Sequence, residues 1–315
     1  MSNAPGIVGR SRGYAGCVTR QDEDFGYFGP ASVSWRVHRE VTVLFGGARA
    51  LLLQAAHPLV IAGASKTGFY ERNPWKRLER TLSLTYTLTF GSVAQADAAA
   101  ARINEVHARV HGVDPVTGLA YDAMDPELLL YVHACLVDSA LLFEQLTVGQ
   151  LDDSDRQRFH EEQMLAAELV GIPRSLVPPT VPALRTWLQE RIDEDVVQVT
   201  QAARTVAGLF EDPPPEAQWR PVLRGVARLA FGTLPPKLRS QYGAELTPVR
   251  RAAMRATFAA TRRLRPLLPP KYRFIAPYEE RRRLWQTPAH ERVRDRAARY
   301  GRRARDLVGG GPGRG

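Results

Sequence analysis

Apolar residues recur at helical spacing through almost the whole chain, and this periodicity restricts the fold more than any other feature. From Val33 to about residue 304, segments with apolar residues three and four positions apart alternate with proline- and glycine-rich joints such as Val177-Pro178-Pro179. No run of alternating β-branched residues is long enough to form a sheet. The sequence therefore predicts an all-α protein built as a single large helical domain.

Two predicted helices have the clearest boundary signals. Asn73-Pro74 provides an N-cap and a proline at the first helical position for a helix that ends near Phe90, and Asp125-Pro126 begins a long apolar helix that reaches Leu146. A turn-rich loop is predicted over 113–124 and a short apolar element over 59–64. The other predicted helices cover 33–45, 48–56, 93–111, 153–170, 181–209, 217–231, 247–266 and 277–304.

The ends of the chain differ in composition from its centre. Residues 1–30 are rich in Gly, Arg and Asp and have no period, so they predict an irregular N-terminal arm. Residues 31–305 form the helical domain, which is long enough to bury a core around a cofactor. The glycine-rich residues 306–315 predict a disordered tail.

Charge and cysteine content exclude several classes of protein. The net charge of +10 comes from 39 Arg and 4 Lys that alternate with acids, which does not indicate a nucleic-acid groove. Cys17 and Cys135 lie far apart, and no apolar run has the length of a signal peptide or of a membrane span. We expect a cytoplasmic protein without a membrane span, although the runs 44–64 and 264–278 are apolar enough for peripheral membrane contact.

Four of the seven histidines, His57, His107, His111 and His133, lie on or beside apolar helical faces. An imidazole directed into a core must use its nitrogens in hydrogen bonds or as metal ligands. For each of them, a hydrogen-bonded core histidine is the simpler interpretation, and a ligand is the alternative.

His107 and His111 have the i, i+4 spacing that allows two imidazoles on one helix to bind one metal. Ala108 stands where a zincin has glutamate, and no carboxylate has the spacing of a non-haem iron site. A non-haem metalloenzyme that uses His107 and His111 stays open as an alternative.

Arg77, Arg80 and Thr81 lie on adjacent turns of the helix predicted from Asn73 to Phe90. They could form a solvated basic edge. However, leucines occupy much of the same helix, so we expect part of this row to face the interior, where an arginine can bind a carboxylate with two hydrogen bonds.

A series of short motifs adds to this interpretation. In order, they are Arg49-Ala50-Leu51-Leu52-Leu53-Gln54-Ala55-Ala56-His57-Pro58, Arg77-Leu78-Glu79-Arg80-Thr81, Phe90-Gly91, Val106-His107-Ala108-Arg109-Val110, and Asp125-Pro126 followed by Tyr131-Val132-His133-Ala134. Over roughly residues 33–290, the chain resembles the catalytic domain shared by latex clearing proteins and the fungal oxygenase MpaB.

This resemblance implies an all-helical domain that encloses a haem b pocket. By position, His107 matches the proximal iron ligand, and Arg77 and Thr81 match residues of the haem pocket. His57, His133 and His111 are further candidates for cofactor binding, with His111 as the fallback ligand. The family thus implies iron as the metal and molecular oxygen or peroxide as co-substrate.

One matched position departs from the pattern of the latex clearing proteins. Arg80 stands where they have a lysine that can close onto the iron. Arginine has no free lone pair, so it cannot be a reversible sixth ligand. Residues 57–69 also lack the acid that rubber-cleaving enzymes place beside the iron. We therefore do not expect rubber cleavage.

The resulting prediction is a haem b-dependent oxidoreductase of the oxygenase type. Its substrate is expected to be an apolar small molecule, with Arg77, Arg80 and Thr81 as catalytic residues. A haem-free helical scaffold or lipid-binding protein of the same fold is the alternative from a different functional class.

Overall fold

The computed structural model describes residues 24–66, 74–212 and 220–286, and almost all of its regular structure is helical. The α-helices are α1 Val33–His38, α2 Val41–Leu44, α3 Gly46–Ala55, α4 Pro58–Lys66, α5 Pro74–Phe90, α6 Val93–His107, α7 Pro126–Thr147, α8 Asp153–Leu169, α9 Val181–Asp193, α10 Gln201–Glu211, α11 Arg220–Gly232, α12 Pro236–Gln241, α13 Pro248–Leu264, α14 Pro270–Arg273 and α15 Ala276–Gln286. Short 3₁₀ helices cover Arg174–Leu176 and Arg265–Leu267, and the strands are β1 His111–Val113 and β2 Ala120–Asp122. The predicted all-α class is confirmed.

Helix α7 forms the centre of the fold. It begins as predicted, because the Asp125 carboxylate accepts hydrogen bonds from the backbone N–H groups of Glu127 and Leu128. It packs against α2, α3, α8, α9 and α13. By length and composition it could cross a membrane, and 61% of its most apolar stretch is buried inside the protein. Burial of that kind is also characteristic of a core helix.

The chain bends sharply at His57-Pro58, where the sequence predicts a helix end. The segment Val41–Ala55 and helix α4 meet at 102°, because the residue before a proline is pushed out of the α region. The helices predicted over 33–45 and 48–56 are separated, as expected, but at Phe45, so that α3 begins at Gly46, two residues earlier than predicted. The first of them is also divided between His38 and Val41 into α1 and α2. A Cβ atom at Gly46 would lie 2.8 Å from the Ser139 carbonyl oxygen, so glycine allows α3 to approach α7 closely.

The helix predicted over 93–111 is shorter than expected. It ends at His107, and His111–Val113 instead pairs antiparallel with Ala120–Asp122, inside the predicted loop. Gly112 lies opposite Tyr121, and a Cβ atom there would be 2.9 Å from the tyrosine hydroxyl. Glycine therefore permits this hairpin rather than closing a helix. As a result, His107 and His111 do not share a helical face.

The helix predicted over 181–209 is two helices, α9 and α10. Lys237 Nζ donates hydrogen bonds to the carbonyl oxygens of Ile192 at 2.9 Å and Glu194 at 2.6 Å, which terminates α9. The Thr200 side chain accepts from the Ala203 N–H and begins α10. The lysine that caps α9 belongs to α12, a helix that the sequence did not predict.

The C-terminal part of the described chain is fixed to the junction between α1 and α2. Arg265 Nη1 lies 3.0 Å from both carboxylate oxygens of Glu40, and the two residues are 5% and 1% exposed. Glu40 also pairs with Phe274 in a backbone bridge, and the Ile275 N–H donates to the Arg39 carbonyl at 2.9 Å. This buried ion pair therefore joins residues 225 positions apart in sequence.

Several predicted features fall outside the described residues. These are most of the arm predicted over 1–30, the tail over 306–315, and the part of the last helix beyond Gln286. Cys17 also lies outside them. Cys135 is buried and forms no disulfide.

Candidate active site

A cavity of about 550 Å³ lies between α3, α4, α5, α6, α7 and α8. Its volume falls within the range of about 300–1,000 Å³ that is usual for small-molecule and cofactor pockets. Most of the wall is apolar. The polar side chains that line it are His38, Gln54, Arg80, Thr81, Thr85, Tyr86, Thr89, Arg102, His107, Tyr121, His133 and Gln163.

Four of the predicted site residues line this cavity together. Arg80 and Thr81 on α5 are exposed, so they belong to its rim, and His107 in the last turn of α6 is half-buried. His133 on α7 is only 8% exposed and belongs to its buried side. The cavity thus extends from a polar rim on α5 and α6 to an apolar floor on α7, and residues from three separate motifs meet there.

The other predicted site residues lie elsewhere or are not described in full. Arg77 belongs to α5, but its side chain is outside the described part of the structure. His57 lies at the bend between α3 and α4 with its ring 5.0 Å from that of Tyr131, and His111 is exposed on β1, where its carbonyl accepts a hydrogen bond from Lys66. Neither His57 nor His111 lines the cavity.

The His133 imidazole is neutral, and one of its ring nitrogens has no hydrogen-bond partner among the described residues. Burial, together with the smaller effect of the charge on nearby His160, lowers its pKa to about 4. Its Nε2 atom is enclosed and makes no hydrogen bond to any described residue. Buried polar atoms without a partner are rare in native proteins, so this atom is available to a bound molecule.

Sequence reasoning missed His38, which also lines the cavity. Its ring lies 5.5 Å from that of Phe159, and burial lowers its pKa to about 4. A signal existed, because Trp35 and Val41 stand three residues before and three after it, which places it on the apolar face of a helix. The short helix and the charged residues that follow it hid this signal.

The electrostatic character of the cavity is neutral to basic. No aspartate or glutamate is among the described residues that line it, whereas Arg80 and Arg102 are. Arg102 is paired with Glu105 at 2.7 Å. Arg80 has no ion pair with any described residue, so its guanidinium can bind an anionic group.

Within ranges 24–66, 74–212 and 220–286, no group of three His, Cys, Asp or Glu side chains is placed to hold a metal ion. A metal bound in this part of the chain would therefore need ligands from a cofactor or from elsewhere.

The comparisons with known proteins bear on the same region. The family model of the ER-bound oxygenase mpaB/B' and rubber oxygenase catalytic domain matches residues 35–263, which include every described residue that lines the cavity. The chain belongs to this family. Family membership supports an oxygenase-type enzyme.

Two curated relatives are similar to the chain over a shorter length. They are uncharacterized proteins of Mycobacterium bovis and Mycobacterium tuberculosis, each 25% identical over 197 residues, which is 61% of this chain and 69% of the relative. No solved structure matches the chain.

The low pKa of His133 leads to a prediction about acid stability. Its folded pKa of about 4 lies below the ordinary 6.5, so between these values the unfolded chain binds a proton that the folded chain does not. The free energy of unfolding should therefore fall as the pH drops from 6.5 towards 4. His133→Asn should reduce the slope of this dependence between pH 5 and 6 by about 1 kcal/mol per pH unit.

Urea denaturation at several pH values measures this slope. The matched control is His111→Asn, on the exposed strand β1, which should leave the slope as in the wild type. An equal slope in His133→Asn and wild-type protein would contradict the assigned neutral state.

Proposed function

We propose that this protein is a haem b-dependent oxygenase that acts on an apolar small molecule, with His107 as the proximal iron ligand. The observation that carries the proposal is the joint placement of Arg80, Thr81, His107 and His133 on one cavity. Family membership supports oxygenase chemistry. The choice of ligand rests on the motif resemblance, in which His107 stands at the position of the proximal histidine.

The residues around the cavity fit a haem in three respects. The walls are mostly apolar, as the porphyrin faces require, and the volume is that of a cofactor pocket. Arg80 has no ion pair with a described residue, so it suits a propionate group at the rim. His133 offers an enclosed nitrogen that has no hydrogen-bond partner in the part of the chain that the structure describes. When bound, haem would supply the activation of molecular oxygen or peroxide.

His107 would hold the iron through a neutral imidazole nitrogen, because only an unprotonated nitrogen has a lone pair to donate. The other ring nitrogen would then carry the proton and donate a hydrogen bond to an acceptor. This hydrogen bond would fix the orientation of the ring. His107 lies at the end of α6, is half-buried and lines the cavity.

Arg80 and Thr81 would act at the rim. Arg80 stays protonated and can only donate hydrogen bonds, so it would bind and orient an anionic or oxygen-bearing group. The Thr81 hydroxyl can donate to or accept from the same group. Leu129, Val137 and Phe159 would exclude water from the interior and favour an apolar substrate. Because no described lining residue is an acid, we do not expect cleavage of rubber.

An absorption spectrum of the pure full-length protein, expressed with sufficient iron, tests this function. We expect a red protein with a Soret band that shifts when dithionite reduces the iron, and a haem content near one per chain. A colourless protein without metal would favour a haem-free scaffold or lipid-binding protein of the same fold. Bound metal without a Soret band would favour a non-haem metalloenzyme, although His107 and His111 no longer share the helical face on which that alternative was based.

A further inference from the structure

The segment from residue 262 to residue 273 forms a surface of unusual composition at the end of α13. Four of its large side chains are strongly exposed: Leu264 by 55%, Leu267 by 77%, Leu268 by 44% and Tyr272 by 61%. Exposed apolar residues are ordinarily scattered, whereas a group of this kind within nine positions marks a binding surface. We call it the 262–273 surface.

The same segment is strongly basic. Between Leu246 and Tyr278 the sequence contains eight basic residues and no acidic one. Arg262, Arg263 and Lys271 are exposed beside the four apolar side chains. Arg263 and Lys271 have no ion pair with any described residue, and Lys271 lies 4.7 Å from the centre of the Tyr272 ring. Among the described residues, no acid therefore neutralises the exposed cations of this surface, whereas the buried Arg265 is paired with Glu40.

Buried contacts and prolines fix the position of the 262–273 surface. Arg265 points inwards to Glu40, and Phe274 is 5% exposed and bridges to the same glutamate. Pro266, Pro269 and Pro270 restrict the backbone between these anchors. The exposed leucines and tyrosine thus project from a fixed base, so that little ordering is needed when they bind.

We propose that the 262–273 surface docks this protein on an anionic lipid bilayer. Leucine and tyrosine side chains would enter the boundary between headgroups and acyl chains, and the cations beside them would contact the anionic headgroups. A second copy of the chain fits less well, because two basic surfaces repel each other. Residues 287–315 of the same chain are also an unsuitable binding partner for this surface. They are basic themselves, with eight arginines and three acids, so the two segments would repel each other. Nucleic acid would use the cations but not the exposed leucines.

Co-sedimentation of the full-length protein with vesicles tests this surface. Vesicles of phosphatidylcholine and phosphatidylglycerol in equal parts should bind the protein, binding should weaken with added salt, and vesicles of pure phosphatidylcholine should bind it poorly. Leu267→Ser/Tyr272→Ser and Arg263→Ser/Lys271→Ser should each weaken binding about tenfold or more. Because arginines elsewhere also attract anionic lipid, the loss in these variants is the deciding measurement.

Matched controls carry the same changes at other exposed positions. Val116→Ser/Leu119→Ser removes two exposed apolar side chains near the hairpin, and Arg158→Ser/Arg228→Ser removes two exposed arginines of α8 and α11. The first should bind as the wild type does, and the second should lose much less binding than Arg263→Ser/Lys271→Ser. Wild-type binding by the surface variants would overturn the proposal. So would a dimer that Leu267→Ser/Tyr272→Ser dissociates, or binding to duplex DNA that is stronger than binding to the anionic vesicles.

Discussion

Replacement of His107 by alanine should abolish stoichiometric haem binding. The imidazole is the proposed proximal ligand, and even residues that only orient a metal ligand typically contribute about 10–100-fold to metal affinity. Loss of the ligand itself should therefore lower haem affinity by more than about 100-fold. The measurement is the haem-to-protein ratio of the purified variant, taken from its Soret absorbance, with circular dichroism to establish that the helical fold is retained.

Two other histidines serve as comparisons for this experiment. His111→Ala, on the exposed strand β1, should keep full haem occupancy. His133→Ala removes the enclosed nitrogen on α7 and tests the rival ligand. Full occupancy in His107→Ala would reject the assignment. Loss of haem in His133→Ala, with full occupancy in His107→Ala, would identify His133 as the iron ligand instead.

Glu40→Ala should destabilise the fold by about 3–5 kcal/mol, because it leaves the Arg265 guanidinium buried without its counter-charge. The pair lies 3.0 Å apart, and both side chains are almost fully enclosed. Arg39 and Arg273 add further positive charge near Glu40. Urea denaturation followed by circular dichroism measures the change in the free energy of unfolding.

The matched control is Glu105→Ala, which also separates a glutamate from two arginines, Arg102 and Arg109, but at the surface. It should cost far less than Glu40→Ala, because solvent screens the charges at the surface. Glu40→Met/Arg265→Met removes both buried charges and should be more stable than Glu40→Ala. Equal losses in Glu40→Ala and Glu105→Ala would contradict the role given to the buried pair.

Local signals in the sequence predicted the parts of the fold that depend on nearby residues. The Asp125 cap and the helix end at His57-Pro58 depend on residues within a few positions, and both were predicted correctly. The end of α9 depends on Lys237, more than forty residues further along the chain. A contact between residues so far apart does not change the hydrophobic periodicity of the local sequence. Two helices were therefore predicted as one.

In the candidate site, too, the sequence predicted what depends on local motifs and missed what depends on tertiary packing. Short motifs identified Arg80, Thr81, His107 and His133, and the structure brings these four to one cavity. Motif membership could not separate His133, which lines the cavity, from His57, whose ring packs against Tyr131 instead. That difference depends on how the helices pack around the cavity, which is a tertiary property. The motifs therefore nominated more candidates than the cavity contains.

The two sides of the cavity differ in how freely they can change during evolution. On α7, a residue that faces the cavity has neighbours on the same helix that pack against α3 and α13, so a substitution that reshapes the floor also disturbs the core. On the α5 side, Arg80 and Thr81 are exposed and can be exchanged at little cost to folding. Homologues should consequently diversify their substrate preference at the rim first, while the floor around His133 retains its shape.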